Sequence, residues 1–427
     1  MEHGGDYRTL WQDLGLDLEA HDNLLQTLGQ AYQEIFLAQP NRPRAMEYFD
    51  FVVSEIHGLR VRELVEAKEQ GRKIVAGFCV FVPEEVVLAA GGVLIGLCGG
   101  AEVGFDRAEQ YLPRATCPLV KSFFGFKLAR LCPYIELADL VVGETTCDGK
   151  KKAYEAFGEL VPMHVMELPQ MKAEPDRALW RAELERFTAR IEELTGTAVT
   201  AEALRDAVGV VNAKREALNR LNRLRAAEPA PISGLDALLV HQISFYDDPV
   251  RFTEKLNALC DELEERIRRG EGVAPAGTPR ILVAGSPMAI PNWKVPFVVE
   301  RCGGVVVGEE SCVGSRNCRD LVDPSADSRA GLLDALCERQ LRIECACFTP
   351  NRERLDTVAR MAADLGAHGV IHYNLSFCTP YAAESFRVVR ALADRHQPVL
   401  RLETDYSQDL GQIRNRVEAF LEMIGAG

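Results

Sequence analysis

The chain has 427 residues, is 47% hydrophobic and 26% charged, and carries 63 acidic against 49 basic side chains, a net charge of −14. That length suits two or three globular domains, and the composition excludes a disordered, collagen-like or coiled-coil protein. The acidic balance argues against a nucleic-acid partner, because phosphodiester binders present a basic face.

The first residues, MEHGGDYRTL, lack the basic and apolar regions of a secretory signal. The longest uncharged apolar run, residues 86–101, is too short to span a bilayer and is split by Gly91-Gly92 and Gly99-Gly100. A cytoplasmic protein with no membrane segment is expected. Residues 1–70 read as a helical N-terminal segment, broken by PNRP at 40–43. From Lys73 the pattern changes. KIVAGFCVF, GGVLIGL, ADLVVGE and HVMEL are apolar, strand-like runs alternating with helical stretches over residues 71–170. This is the signature of a buried parallel sheet.

Residues 171–278 are charged and helical, with Leu184, Phe187, Ile191 and Leu194 at three- and four-residue steps. EGVAPAGTP at 271–279 has the composition of a linker. Over residues 279–427 the strand-like runs return as RILVAG, GVVVGE, GVIHYN and PVLRLE. The expected fold class is therefore α/β: two parallel-sheet domains of the Rossmann-like or flavodoxin-like kind, with a helical N-terminal part and a helical connecting layer. Ligands of such sheets sit at the carboxyl ends of the strands.

Thirteen cysteines are an unusual load for a reducing compartment, where disulfides are disfavoured. Cys117, Cys147, Cys312, Cys345, Cys347 and Cys378 fall at strand carboxyl ends or helix amino ends. There, free N–H groups and the helix dipole favour a thiolate. Cys378 and Cys347 each stand just before a Thr-Pro cap signal, Thr379-Pro380 and Thr349-Pro350. Cys79, Cys98, Cys132, Cys260, Cys302 and Cys337 read as core thiols, and Cys318 as ambiguous. No CxxC pair and no ferredoxin run occurs; widely spaced cysteines from two domains are compatible with an iron–sulfur cluster, since its ligands need not be close in sequence. Gly143 to Gly149-Lys150 mimics a phosphate loop. It has one residue too many and Lys151 where the magnesium-binding hydroxyl belongs, so this chain is not expected to bind ATP.

TCP at 116–118, ETTCDGKKK at 144–152, GSPMAIPNW at 285–293, EESCVGSR at 309–316, CACFTPN at 345–351, NLSFCTPY at 374–381 and ETDYSQDLGQIRNRVEAFLEM at 403–423 resemble the 2-hydroxyacyl-CoA dehydratase and benzoyl-CoA reductase superfamily. Cys312, CACFTPN and PMAIPNW look most like its double-cubane cluster branch. The resemblance implies a cluster between the two α/β domains. Its common three-cysteine set matches Cys117, Cys147 and Cys378. In the double-cubane branch an [8Fe-9S] cluster would also draw on Cys312, Cys345 and Cys347. The resemblance further implies a homodimer and a separate ATP-hydrolysing iron–sulfur activator that delivers low-potential electrons under anaerobic conditions.

Three functions follow. The first is a reductase acting on a small molecule, with His372, Tyr373, Glu144 and Glu309 as candidates for proton delivery. The second is a subunit of a 2-hydroxyacyl-CoA dehydratase with a single [4Fe-4S] cluster. The third is a non-catalytic electron-transfer module. For His372 the competing role is a half-buried strand histidine, and for Glu144 and Glu309 a salt bridge or helix cap.

Overall fold

The computed structural model describes residues 7–97, 99–407 and 409–425; Cys98, expected in the core, lies outside the described residues. Two four-stranded sheets organise the chain, and every strand pair is parallel. The first contains β1 (Ile74–Gly77), β2 (Val93–Gly96), β3 (Leu140–Glu144) and β4 (Met163–Met166), in the order β2-β1-β3-β4. The second contains β5 (Arg280–Gly285), β6 (Val305–Glu310), β7 (Gly369–Leu375) and β8 (Val399–Thr404), in the order β6-β5-β7-β8. The two sheets thus share one topology. In each, strand order reverses between the first and third strands, so the crevice for a ligand lies at the carboxyl ends of β1 and β3, and of β5 and β7.

Strands buried on both faces need apolar side chains on both, and alternation then sorts them between two cores. Ile74 and Ala76 of β1, Val141 of β3, Ile281 and Val283 of β5, and Ile371 and Tyr373 of β7 all join one core that runs through both domains. Val75, Leu140 and Val142 face a second core, and Leu282, Ala284 and Val370 a third. Each fully buried Val, Ile or Leu contributes about 1.5–3 kcal/mol.

Helices over the first 70 residues pack on the continuous core through Phe36, Met46, Phe49, Val61 and Leu64. The connecting layer consists of long helices at Glu174–Thr195, Ala201–Leu224 and Pro249–Arg269 and a shorter one at Gly234–Ile243. Gly196 and Gly270 end two of them in the left-handed conformation, as C-terminal glycines do. Among the described residues no helix is long and apolar enough to cross a membrane.

A candidate iron–sulfur site between the two sheets

A cavity of about 650 Å³ lies where the carboxyl ends of the two sheets meet. Seven cysteines line it: Cys79, Cys117, Cys147, Cys312, Cys345, Cys347 and Cys378. Six are the thiols singled out by position in the sequence, and the structure brings all six to this one space. Cys79 is the seventh, and its expected place as a core thiol is corrected here. It stands in the apolar run KIVAGFCVF, but the strand stops at Gly77, so Cys79 falls beyond the sheet edge and faces the cavity. The sequence does carry a signal for this: Cys79 follows a strand end and precedes Pro83 and the helix Glu84–Ala89.

Cys117, Cys147 and Cys378 occupy the N-cap positions of the helices Pro118–Leu128, Asp148–Phe157 and Thr379–Ala393. Three helix amino ends therefore point their partial positive charge at the cavity, which favours thiolates and an anionic cluster. The Cys147 sulfur accepts from the Lys150 backbone N–H at 3.5 Å. Cys147 and Cys378 hold equivalent places, each three residues past the third strand of its sheet. Phe377, before Cys378, takes the left-handed conformation at φ +63°, a strained one for a bulky side chain. The cap is Cys378 itself, one residue earlier than the Thr379-Pro380 signal suggests. The cap signal after Cys347 is not used as expected. The next helix begins at Arg352 behind Asn351, and Cys347 lies in a turn.

The remaining thiols separate from this group. Cys132, Cys260 and Cys337 are buried in packed cores. Cys302 is half-buried and touches Glu418. Cys318 is fully buried, with Asn222 Nδ2 donating to its sulfur at 3.4 Å, and its pKa is pushed up to about 12 by burial. It does not line the cavity.

Contacts within the thiol group polarise it. The Cys378 thiol hydrogen-bonds Cys117 and lowers the Cys117 pKa, while Cys378 itself is pushed well up. Hydrogen bonds from Cys312 and Cys347 pull Cys345 well below the ordinary thiol value. A hydrogen bond from Cys312 lowers Cys79 to about 7.

Among the described residues no three His, Cys, Asp or Glu side chains converge on a point suited to one metal ion. A tetrahedral zinc ion would need sulfurs about 2.3 Å from a shared centre. Seven thiols spread around a large cavity instead suit a polynuclear cluster, in which each sulfur binds a different iron.

Charged groups frame the cavity in three places. Glu144, the last residue of β3, is fully buried and neither of its carboxylate oxygens accepts a hydrogen bond. Burial and the neighbouring Cys79 thiolate push its pKa up to about 8, against the pull of Lys150. Lys150 is itself buried and lines the cavity. On the connecting helix, Lys214 pairs with Glu84 at 2.5 Å and Arg215 with Glu85 at 2.6 Å. In the second domain Glu310 pairs with Arg316 at 2.6 Å and with Arg354 at 2.9 Å, and Arg354 also pairs with Glu384. Arg316 donates to the Cys312 sulfur at 3.7 Å and to the Tyr381 hydroxyl, which lies 3.8 Å from the Cys345 sulfur. This network orients two of the thiols. Sequence reasoning misses it because Arg354 and Glu384 lie far from EESCVGSR.

The four candidates for proton delivery part company. Glu144 lies beside Cys79 and Lys150, which line the cavity, although Glu144 itself is not on its wall. Tyr373 is buried off the cavity wall, and its hydroxyl oxygen accepts from Asn292 Nδ2 at 3.0 Å. Burial raises its pKa, and Cys117 and Cys378 lie near enough to raise it further. His372 alternates to the other face of β7, where burial and then Arg354 push it down to about 3, and it does not line the cavity. Glu309 is held in an ion pair. Arg225 donates to its two carboxylate oxygens at 2.5 and 2.7 Å, both residues are buried, and Glu309 is absent from the cavity wall. Its role is the salt bridge, because adjacent strand residues face opposite ways and Glu310 takes the side of Arg316.

The family model for the 2-hydroxyglutaryl-CoA dehydratase D-component matches residues 79–424. A protein of Escherichia coli described as "Putative dehydratase subunit YjiM" is 39% identical over 365 residues, covering 84% of this chain and 94% of that protein. The (R)-phenyllactyl-CoA dehydratase beta subunit of Clostridium sporogenes is 24% identical, over 84% of this chain and 93% of its own length. One of the subunits of the benzoyl-CoA reductase of Thauera aromatica is 21% identical, over 83% and 92%. With a family model spanning most of its length and a relative at 39% identity, the chain belongs to the 2-hydroxyglutaryl-CoA dehydratase D-component family.

Proposed function

We propose that the chain is an iron–sulfur reductase component. It would receive low-potential electrons from a separate ATP-hydrolysing activator and reduce a small molecule at an [8Fe-9S] double cubane. The observation that carries this reading is the number of thiols in one cavity. A single [4Fe-4S] cluster on Cys117, Cys147 and Cys378 would leave four more thiols, Cys79, Cys312, Cys345 and Cys347, around the same space. Two cubanes joined by a sulfide need six, and Cys312, Cys345 and Cys347 would complete the set. The lack of a phosphate loop fits an ATPase on a separate partner.

When bound, the cluster supplies electrons at low potential. The chain would supply the rest. Three helix N-termini and the Lys150 ammonium offset the negative charge of the centre. Glu144, whose pKa burial raises, would keep a proton within the protein near Cys79. Tyr373 is a second hydroxyl close to Cys117 and Cys378. Leu94, Leu119, Phe123 and Ile290 give the cavity apolar walls that keep bulk water from reduced intermediates.

A second reading starts from the names of the relatives, most of which are dehydratase subunits. It makes this chain the subunit of a 2-hydroxyacyl-CoA dehydratase, with one [4Fe-4S] cluster and a different partner subunit. Protein purified without oxygen separates the two. About eight irons per chain, with a paramagnetic signal that shifts when small unsaturated or nitrogenous molecules are added under reducing conditions with activator, supports the reductase. About four irons, with turnover only of 2-hydroxyacyl-CoA, supports the dehydratase. A signal that never shifts and no turnover would leave an electron carrier.

A further inference from the structure

We infer that Cys79 is a ligand of the second cubane and ties the first domain to it. The inference rests on the double-cubane reading and changes its ligand set. Cys79 stands two residues past the end of β1, and Cys147 three residues past the end of β3. These two strands flank the point where strand order reverses in the first sheet, which is where α/β sheets hold their ligands. Both thiols line the cavity.

Packing assigns Cys79 to one side of that cavity. Cys117 and Cys378 pack against the core that runs through both domains. Cys79 and Cys347 pack against the second core, of which Cys312 and Cys345 are members. The Cys79 and Cys312 thiols lie close enough to shift each other's pKa, Cys79 down and Cys312 up. The second cubane therefore has four candidate thiols for three positions. Cys312, Cys345 and Cys347 all come from the second domain, so a cubane held by them alone would touch the first domain through no cysteine. The first cubane is not held that way, since Cys117 and Cys147 come from one domain and Cys378 from the other. With Cys79 as a ligand, both cubanes cross the domain boundary. A core role does not suit this thiol, because the cysteines with that role, Cys132, Cys260 and Cys337, do not line the cavity.

The test compares wild type, Cys79→Ala and Cys318→Ala, all purified anaerobically, by iron and acid-labile sulfide per chain and by paramagnetic resonance after reduction. Wild type and Cys318→Ala are expected to hold about eight irons. Cys79→Ala is expected to hold about four, with the signal of an isolated cubane and an unchanged circular dichroism spectrum. Cys79→Ala with the iron and spectrum of wild type overturns the inference and leaves the double-cubane reading standing. Wild type with about four irons overturns both. A second measurement needs no variant. Alkylation of the native holoprotein, read by mass spectrometry, should spare Cys79 until a chelator removes the iron. Equal labelling of Cys79 before and after chelation overturns the inference.

Discussion

Glu144 and Glu309 are both buried carboxylates near the end of a strand, and they differ because only Glu309 is hydrogen-bonded to its cation, while Lys150 lies near Glu144 without bonding it. Glu309 is gripped by Arg225 through two hydrogen bonds. Replacing it with alanine leaves a buried guanidinium without its counter-charge, which costs about 3–5 kcal/mol. We expect Glu309→Ala to lower the free energy of urea unfolding by that amount while iron per chain stays at the wild-type value. Lost iron with unchanged stability would instead make Glu309 part of the site. Glu144 has no hydrogen-bond partner, and its pKa rises from 4.5 to about 8. The folded state then holds this proton more tightly than the unfolded state does. Stability is full below the unfolded pKa and declines as pH rises towards about 8, by on the order of a few kcal/mol. In metal-free protein, Glu144→Gln should therefore match wild type near about pH 5 and exceed it near about pH 8. A difference that does not change with pH would show that Glu144 is ionised throughout. Glu144 is recognisable in the sequence from its place just before a cysteine at a strand end. The cation that claims Glu309 is not, because Arg225 lies just past the end of the helix Ala201–Leu224, more than eighty residues earlier, and no local spacing announces the pair.

The eight strands are where the sequence is most legible. KIVAGFCVF, RILVAG and GVVVGE are short apolar runs because both faces of a parallel sheet are covered, so each run marks a strand directly. Their exact ends are less legible, and that is why Cys79 reads as core. The apolar run continues through Phe81, but hydrogen bonding to β2 and β3 stops at Gly77. Helix starts show the same limit, since Thr349-Pro350 has the composition of a cap and yet the helix begins at Arg352. The loops between elements carry the join between domains. Gly100, after β2, lies so close to the loop after β5 that an added Cβ would stand 2.0 Å from the Ala289 carbonyl oxygen and 2.7 Å from the Ile290 carbonyl carbon. These are backbone atoms that have little room to yield, and overpacking of this kind costs about 1–3 kcal/mol. Gly100→Ala should lower the melting temperature, and because Ala289 and Ile290 line the cavity it should also reduce retained iron. A variant with wild-type melting and iron content would show that this contact is not what joins the two loops.

At the scale of the molecule, two sheets of identical strand order present their reversal points to one cavity, and a core through both domains holds them in register. Separate halves of the sequence supply the thiols, so neither sheet alone builds the site. The convergence is three-dimensional: Cys117 and Cys378 are 261 positions apart in the chain (378 − 117) yet line one cavity and shift each other's pKa. The most direct test is iron and acid-labile sulfide per chain in anaerobic wild type, Cys147→Ser and Cys378→Ser. Serine is a good N-cap, so both helices should remain capped and the fold intact. Wild type should hold about eight irons, and each variant, though its cysteine comes from a different domain, should lose about half or more. Iron-free wild type, or a full complement of iron in either variant, would contradict a cluster gripped from both sides.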